Sequence, residues 1–195
     1  MKRIITLCFV FCALIVNAQT VQVSGNQSGI WNGDILVTGD VTVPENEVLT
    51  IEPGTEVIFN GYFTLTVLGG FVARGTAEAP IVMTTIDTTE YSNYELLRGG
   101  WAGITFSDCT DEVTLNYCDI SYGKTKRDCD GGAMRFYNAG QVEIANCKIH
   151  NNTMRRRGGA IYAENTEFYI HGCEIYDNRG YGYMGSYCWG AGLQF

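Results

Sequence analysis

Helix, positive charge and metal-binding clusters are what this chain lacks. No stretch carries a convincing helical period, so the chain is expected to be all-β. Proline is nearly absent, at Pro44, Pro53 and Pro80 only. Lys and Arg number 13 against 21 Asp and Glu, so the chain as a whole is not built to grip nucleic acid. There is no Cys-x-x-Cys, and His150 and His171 fall on outward positions, so nothing resembles a zinc knuckle and no metal site is expected. After residue 16 no apolar run approaches the length needed to cross a bilayer.

The one long apolar run lies at the start. Lys2 and Arg3 form a positive n-region, Ile4 to Val16 is apolar, and Val16-Asn-Ala18 is a small-residue cleavage site before Gln19. That run of 13 residues is too short to span a bilayer, so residues 1–19 are expected to be a cleaved secretory signal that takes Cys8 and Cys12 with it. Residues 20–195 then form one domain by length. Without Lys2 and Arg3, 11 basic residues face 21 acidic ones, a charge that suits a soluble protein, secreted or displayed at the cell surface.

What is abundant is glycine, 24 residues, together with the Val, Ile, Thr, Tyr and Phe of pleated sheet. From 21 to 84 short alternating runs recur: Ile35-Leu-Val37, Val41-Thr-Val43, Leu49-Thr-Ile51, Val57-Ile-Phe59, Leu65-Thr-Val67 and Ile81-Val-Met83. Turn signals separate them at Thr38-Gly-Asp40, Glu52-Pro-Gly54 and Leu68-Gly-Gly70.

A repeat follows. Val113 to Ile120, Val142 to Ile149 and Phe168 to Ile175 each read φ-x-φ-x-x-Cys-x-Ile, with φ apolar, and Cys118, Cys147 and Cys173 stand 29 and 26 residues apart. Alternation slips by one residue inside each segment. One continuous strand cannot do that without turning its side chains to the other face, whereas two short strands meeting at a corner can. Three residues beyond each Ile stands Gly123, Asn152 or Asn178, which is expected to take the left-handed backbone of a turn. A second register opens strands at Gly100-Trp-Ala-Gly-Ile104, Gly131-Gly-Ala-Met134, Gly158-Gly-Ala-Ile161 and Gly190-Ala-Gly-Leu193, at spacings of 30, 27 and 32 residues. These periods predict a right-handed single-stranded parallel β-helix, a solenoid with about three short strands per coil, rising about 4.8 Å per coil.

The Gly-Gly-Ala-Ile and φ-x-x-Asn elements resemble the repeats of polymorphic outer membrane proteins and the wider pectate-lyase-like β-helix superfamily. Ile149-x-x-Asn152 and Ile175-x-x-Asn178 depart from them in carrying Ile where that repeat usually has Phe. The segment LTIEPGTEVIFNGYFTLTVLGGFVARGTAEAPIVMTT is similar to the N-terminal coils of secreted bacterial β-helix proteins, and the resemblance covers most of residues 34–195. It speaks to fold far more than to chemistry.

In a β-helix equivalent positions stack. Cys118, Cys147 and Cys173 are expected to form an inward column of free thiols, since three thiols in one column cannot all pair. Cys129 and Cys188 precede their glycine openings and leave a loop-to-loop bridge open, as does the state of Cys109. Asp119, Lys148 and Glu174 are expected to form a solvated salt-bridge column. Gly180-Tyr-Gly-Tyr-Met-Gly185 matches the dinucleotide-binding string by chance, having no helix after it.

The basic residues cluster. Arg155, Arg156 and Arg157 lie in the loop that joins the Cys-x-Ile strand to the next glycine-opened strand. The same loop holds Lys124, Lys126 and Arg127 one coil earlier, and Arg179, Tyr181, Tyr183, Tyr187 and Trp189 one coil later. Stacking brings seven of the eleven cations and four aromatics to one side, and Thr105, Arg135, Tyr162 and Gln194 are expected to run along the adjacent sheet face. Two readings stand: solvated loops, or a groove in which cations meet the carboxylates or sulfates of an acidic polysaccharide and rings lie against sugars. A protein partner at the surface is a third.

The functional expectation is therefore a structural or adhesive module that binds acidic glycan, with no cofactor evident. The alternative, implied by the superfamily, is a polysaccharide lyase or epimerase acting on uronates, with Ca²⁺ as its cofactor. Asp128 and Asp130 lie near the basic loops, but Asp108, Asp111 and Glu112 sit at an earlier corner, and no carboxylate pair for glycoside hydrolysis is visible. The chain stops inside a strand at Leu193-Gln-Phe195, so its last edge is expected to be covered by further coils or a partner.

Overall fold

The computed structural model describes residues 20–93, 95–109, 111–125, 130–154, 157–180 and 193–194. The expectations on the signal segment, Lys126, Arg127, Asp128, Cys129, Arg155, Arg156, Tyr181, Tyr183, Tyr187, Cys188 and Trp189 lie outside these residues.

Every strand pairing is parallel, and sixteen of the described strands join into one wrapped sheet. Its three faces follow from the alternating triplets, because each triplet turns its two outer residues inward. The cysteine face stacks Ile35, Val57, Met83, Ile120, Ile149 and Ile175. The glycine-opened face stacks Val41, Leu65, Ile104, Met134 and Ile161. A third face stacks Leu49, Phe71, Val113, Val142 and Phe168. The coil is thus a right-handed parallel β-helix. Two of its strands, Gly29–Trp31 and Gly70–Arg74, were not legible as alternating triplets, and Gly70 opens a strand where a turn was expected.

The core is a set of ladders rather than a pooled interior. Phe106 and Phe136 stack in adjacent coils with centroids 4.5 Å apart, and Phe71 and Phe168 meet them edge-on. Trp101 lies flat against Phe59 at 4.0 Å, fully buried, and its Nε1–H donates to the Ser121 carbonyl at 2.8 Å. In the cysteine column the Cys118 N–H donates to Cys147 Sγ and the Cys147 N–H to Cys173 Sγ, both at 3.4 Å.

Those three thiols and Cys109 are free. The hydrogen-bonded Cys118 thiol beside it, helped by burial, pushes Cys147 up to about 12, and burial pushes Cys109 up to about 11. The folded value of Cys147 exceeds its ordinary 9.0, so its contribution to stability is full below about 9 and is lost as pH rises toward about 12. Thiolate is the alkylating form. At mildly alkaline pH the native protein should therefore leave Cys147 unlabelled by iodoacetamide, and burial should shield Cys118 from the reagent, while the unfolded chain labels at both. Peptide-resolved mass spectrometry reads this, and native labelling as fast as denatured labelling would refute the buried column.

Each coil turns its corners on left-handed residues that themselves stack. Asp108, Asn138 and Asn165 mark the first corner, Tyr117, Asn146 and Gly172 the second, and Tyr122, Asn151 and Asp177 the third. The slip before each cysteine is the second corner, as the pattern required. At the third corner the expected left-handed residues Gly123, Asn152 and Asn178 sit one position too late. Their role is different: Asn152 is fully buried, and its side chain serves the backbone. Its Nδ2 donates to the carbonyls of Ile120 at 3.2 Å and His150 at 2.9 Å, and its Oδ1 accepts from the Gly123 N–H at 2.7 Å. Asn178 repeats this one coil on, donating to the Ile149 carbonyl at 2.8 Å. Gly123 has to be glycine, because a Cβ there would lie 2.4 Å from the Gly132 carbonyl oxygen.

The charged column registers as expected, Asp119 beside Lys148 beside Glu174. The contact that Asp119 makes differs. Asp119 Oδ1 meets His150 Nε2 at 2.9 Å, and His150 stacks on Tyr176 at 4.9 Å. Among the described residues no ion pair joins Lys148 to either neighbour.

Extra length enters the coil at the third corner. The described parts of 86–103, 122–133 and 151–160 lie between the cysteine face and the glycine-opened face in successive coils. Gly123 bridges to Trp101, Lys124 to Thr153, and Thr153–Met154 pairs with Arg179–Gly180.

Candidate functional site

The sequence placed a basic, aromatic region at this corner and along the glycine-opened face. The outer column of that face runs Thr42, Thr66, Thr105, Arg135 and Tyr162, with Gln194 in register beyond. Beside it a groove of about 430 Å³ is lined by Asp40, Tyr62, Thr64, Thr66, Arg135 and Tyr137, among others. Strand alternation makes it: every second residue of a buried-face strand must point outward, and here those residues are hydroxylic, aromatic or cationic.

Arg135 forms part of the groove wall. Its Nε donates to Thr105 Oγ1 at 3.0 Å and its Nη2 to the Ala102 carbonyl at 2.5 Å, so the guanidinium is drawn one coil back and lies largely buried. These two bonds hold the guanidinium in a fixed pose. Tyr62 Oη donates to the Lys124 carbonyl at 2.8 Å, which fixes its ring at the edge of the groove. Tyr137 and Tyr162 lie with ring centroids 5.8 Å apart.

Arg157 closes over this end. Its guanidinium sits 4.6 Å from the Tyr162 ring centre and holds Asp130 through Nη2–Oδ2 at 2.8 Å and Nε–Oδ1 at 3.3 Å. The hydrogen bond to Asp130 fixes Arg157 still more firmly in its charged form, and burial raises the Tyr162 phenol above its usual range. Arg179 lies over the Tyr91 ring at 5.6 Å.

Lys124 corrects the sequence reading. It is 1% exposed, and its Nζ donates to the carbonyls of Arg98 at 2.8 Å and Glu90 at 3.2 Å. Burial pulls its pKa below the usual lysine value. Its four-carbon stem reaches under the 86–103 loop and ties it down, so Lys124 anchors a loop rather than meeting a ligand. Arg135, Arg157 and Tyr162 are brought together, Arg179 stands apart from them, and Asp40, Tyr62, Thr64 and Tyr137 were missed. Counting back one coil from Thr105 reaches Thr66, so that part was recoverable. Tyr62 belongs to a coil without a glycine opening and carries no such signal.

A second groove, of about 760 Å³, opens at the corner between the glycine-opened and third faces and brings together Asp111, Glu112, Glu143, Glu167 and Tyr169. No carboxylate cluster was visible in the sequence because these residues come from three coils. Glu112 pairs with Arg74 and accepts from Thr114 Oγ1, Glu167 accepts from Gln141 Nε2 at 3.2 Å, and Glu143 faces His171 at 3.6 Å. Among the described residues no group of three or more His, Cys, Asp or Glu is arranged to hold a metal ion.

The stacked columns, the parallel register and the corner ladders find their counterpart in a family model described as right handed beta helix region, which matches residues 79–190. The chain belongs to that family. No curated protein and no solved structure matches it. The β-helix family match spans three of the four glycine openings and all three Cys-x-Ile segments. Among the described residues, no helix of this β-helix is long and apolar enough to cross a membrane.

Proposed function

We propose that this chain is an exported β-helix module, structural or adhesive in role, that binds an acidic polysaccharide along its glycine-opened face. The observation that carries the reading is the groove in which one clamped cation, Arg135, lies among the rings of Tyr62 and Tyr137 and a column of threonine hydroxyls. Rings present flat apolar area and a hydroxyl to a sugar, and the guanidinium takes a carboxylate or sulfate. The repeat resemblance to polymorphic outer membrane proteins supports display at the cell surface. Arg157, held over the Tyr162 ring, lies beside the same face.

Calorimetric titration with glucuronate-containing oligosaccharides tests this. Binding should weaken steeply with added salt, and Tyr137→Ala should lower affinity roughly tenfold without changing the melting temperature. Absence of binding, or binding indifferent to both salt and Tyr137, would remove the reading. New unsaturated uronate ends, detected by their ultraviolet absorbance with and without Ca²⁺, would make the groove a lyase site instead.

A further inference from the structure

The charges along the groove are not of one sign, and they stand far apart. Val41, Leu65, Ile104 and Met134 are in register across four successive coils, so Asp40, just before Val41, and Arg135, just after Met134, stand three coils apart. At about 4.8 Å per coil that is about 14 Å along the helix axis. Between them the groove presents only neutral groups, Thr64, Thr66, Thr105 and the rings of Tyr62 and Tyr137. Asp40 is exposed, and its Oδ1 accepts from the Thr64 N–H at 3.0 Å, which holds the carboxylate at the groove's far end.

We propose that the groove takes a sparsely charged acidic glycan, with one anionic residue at Arg135 and neutral sugars beyond it, and rejects a chain charged at every residue. This rests on the polysaccharide reading above and names the ligand class for that site. A pyranose unit advances an extended glycan by about one coil rise, so a chain lying along the axis places one sugar per coil. With an anionic sugar at Arg135, the next two units face threonine and tyrosine, and the third faces Asp40. A uniformly charged polymer would set carboxylates against neutral hydroxyls twice and against a carboxylate once. Like charges in a groove walled by protein repel more strongly than in open water. The discrimination is built from an unfavourable contact as well as a favourable one.

The test compares three probes by calorimetry at one salt concentration: an oligogalacturonide charged at every residue, a repeat unit with one glucuronate among neutral sugars, and a neutral glucan oligosaccharide. Wild type should bind the sparsely charged probe at least roughly tenfold more tightly than either other. Asp40→Asn, a change at an exposed side chain, should raise affinity for the oligogalacturonide roughly fivefold and leave the sparsely charged probe unchanged. Arg135→Gln should abolish the preference for the sparsely charged probe over the neutral one. Arg135→Lys, which keeps the charge, serves where the glutamine variant melts early. Oligogalacturonide bound as tightly as the sparsely charged probe, with no effect of Asp40→Asn, overturns the spacing rule and leaves acidic-glycan binding standing. Equal affinity for all three probes, or none for any, overturns both.

Discussion

Asn152→Ala is expected to destabilise the protein by about 3–5 kcal/mol, because it strands buried backbone groups rather than merely deleting contacts. The Gly123 N–H loses its acceptor, and the Ile120 and His150 carbonyls lose their donor, in a site with no solvent exposure at Asn152. Each buried group left unsatisfied costs about 1–3 kcal/mol. Asn178→Ala, half-buried and one coil on, should cost only about 1–2 kcal/mol, since water can reach its partners. Denaturant unfolding measures the difference, and hydrogen exchange at the Gly123 amide should accelerate in the first variant. A loss under about 1 kcal/mol for Asn152→Ala would mean that the corner closes without its asparagine ladder.

Trp101→Ala is the second large effect, at about 4–5 kcal/mol. The side chain is fully buried, stacks on Phe59 with planes 15° apart and satisfies the Ser121 carbonyl. Its backbone also bridges to Gly123 and accepts from the Lys124 N–H at 2.7 Å, so the cavity would open beside the asparagine ladder and the Lys124 anchor. Trp101→Phe keeps the ring stack and loses the indole donor, and should cost about 1–2 kcal/mol. A thermal melt separates the two. Equal losses would show that the hydrogen bond, not the packed volume, is what Trp101 contributes.

These two sites mark where sequence reasoning reached and where it stopped. Asn152 was legible as a corner residue, because φ-x-x-Asn recurs at the coil period. Its chemistry was not. The pattern suggested a left-handed backbone, whereas Asn151 takes that conformation and Asn152 turns inward to serve the carbonyls. A one-residue offset at a turn leaves no trace in a hydropathy pattern. Lys124 failed in the same way. A lysine in a loop beside other cations reads as solvated, and only the overlying 86–103 loop buries it.

Conversely, the cysteine column was read directly, since Cys118, Cys147 and Cys173 keep one spacing from the isoleucines that must stack. The outer column of Thr105, Arg135 and Tyr162 followed from the same counting.

By itself the sequence determined the fold class and the parallel register, because coil-length periodicity dictates which side chains become neighbours between successive coils. The tertiary structure decided which of those residues line a groove and which are buried. Orientation at a corner depends on backbone handedness and on which loop lies above, neither of which is periodic. It also assembled the groove from Asp40, Tyr62 and Arg135. Those residues lie up to three coils apart in register and share no motif, so only the stacking of coils brings them together.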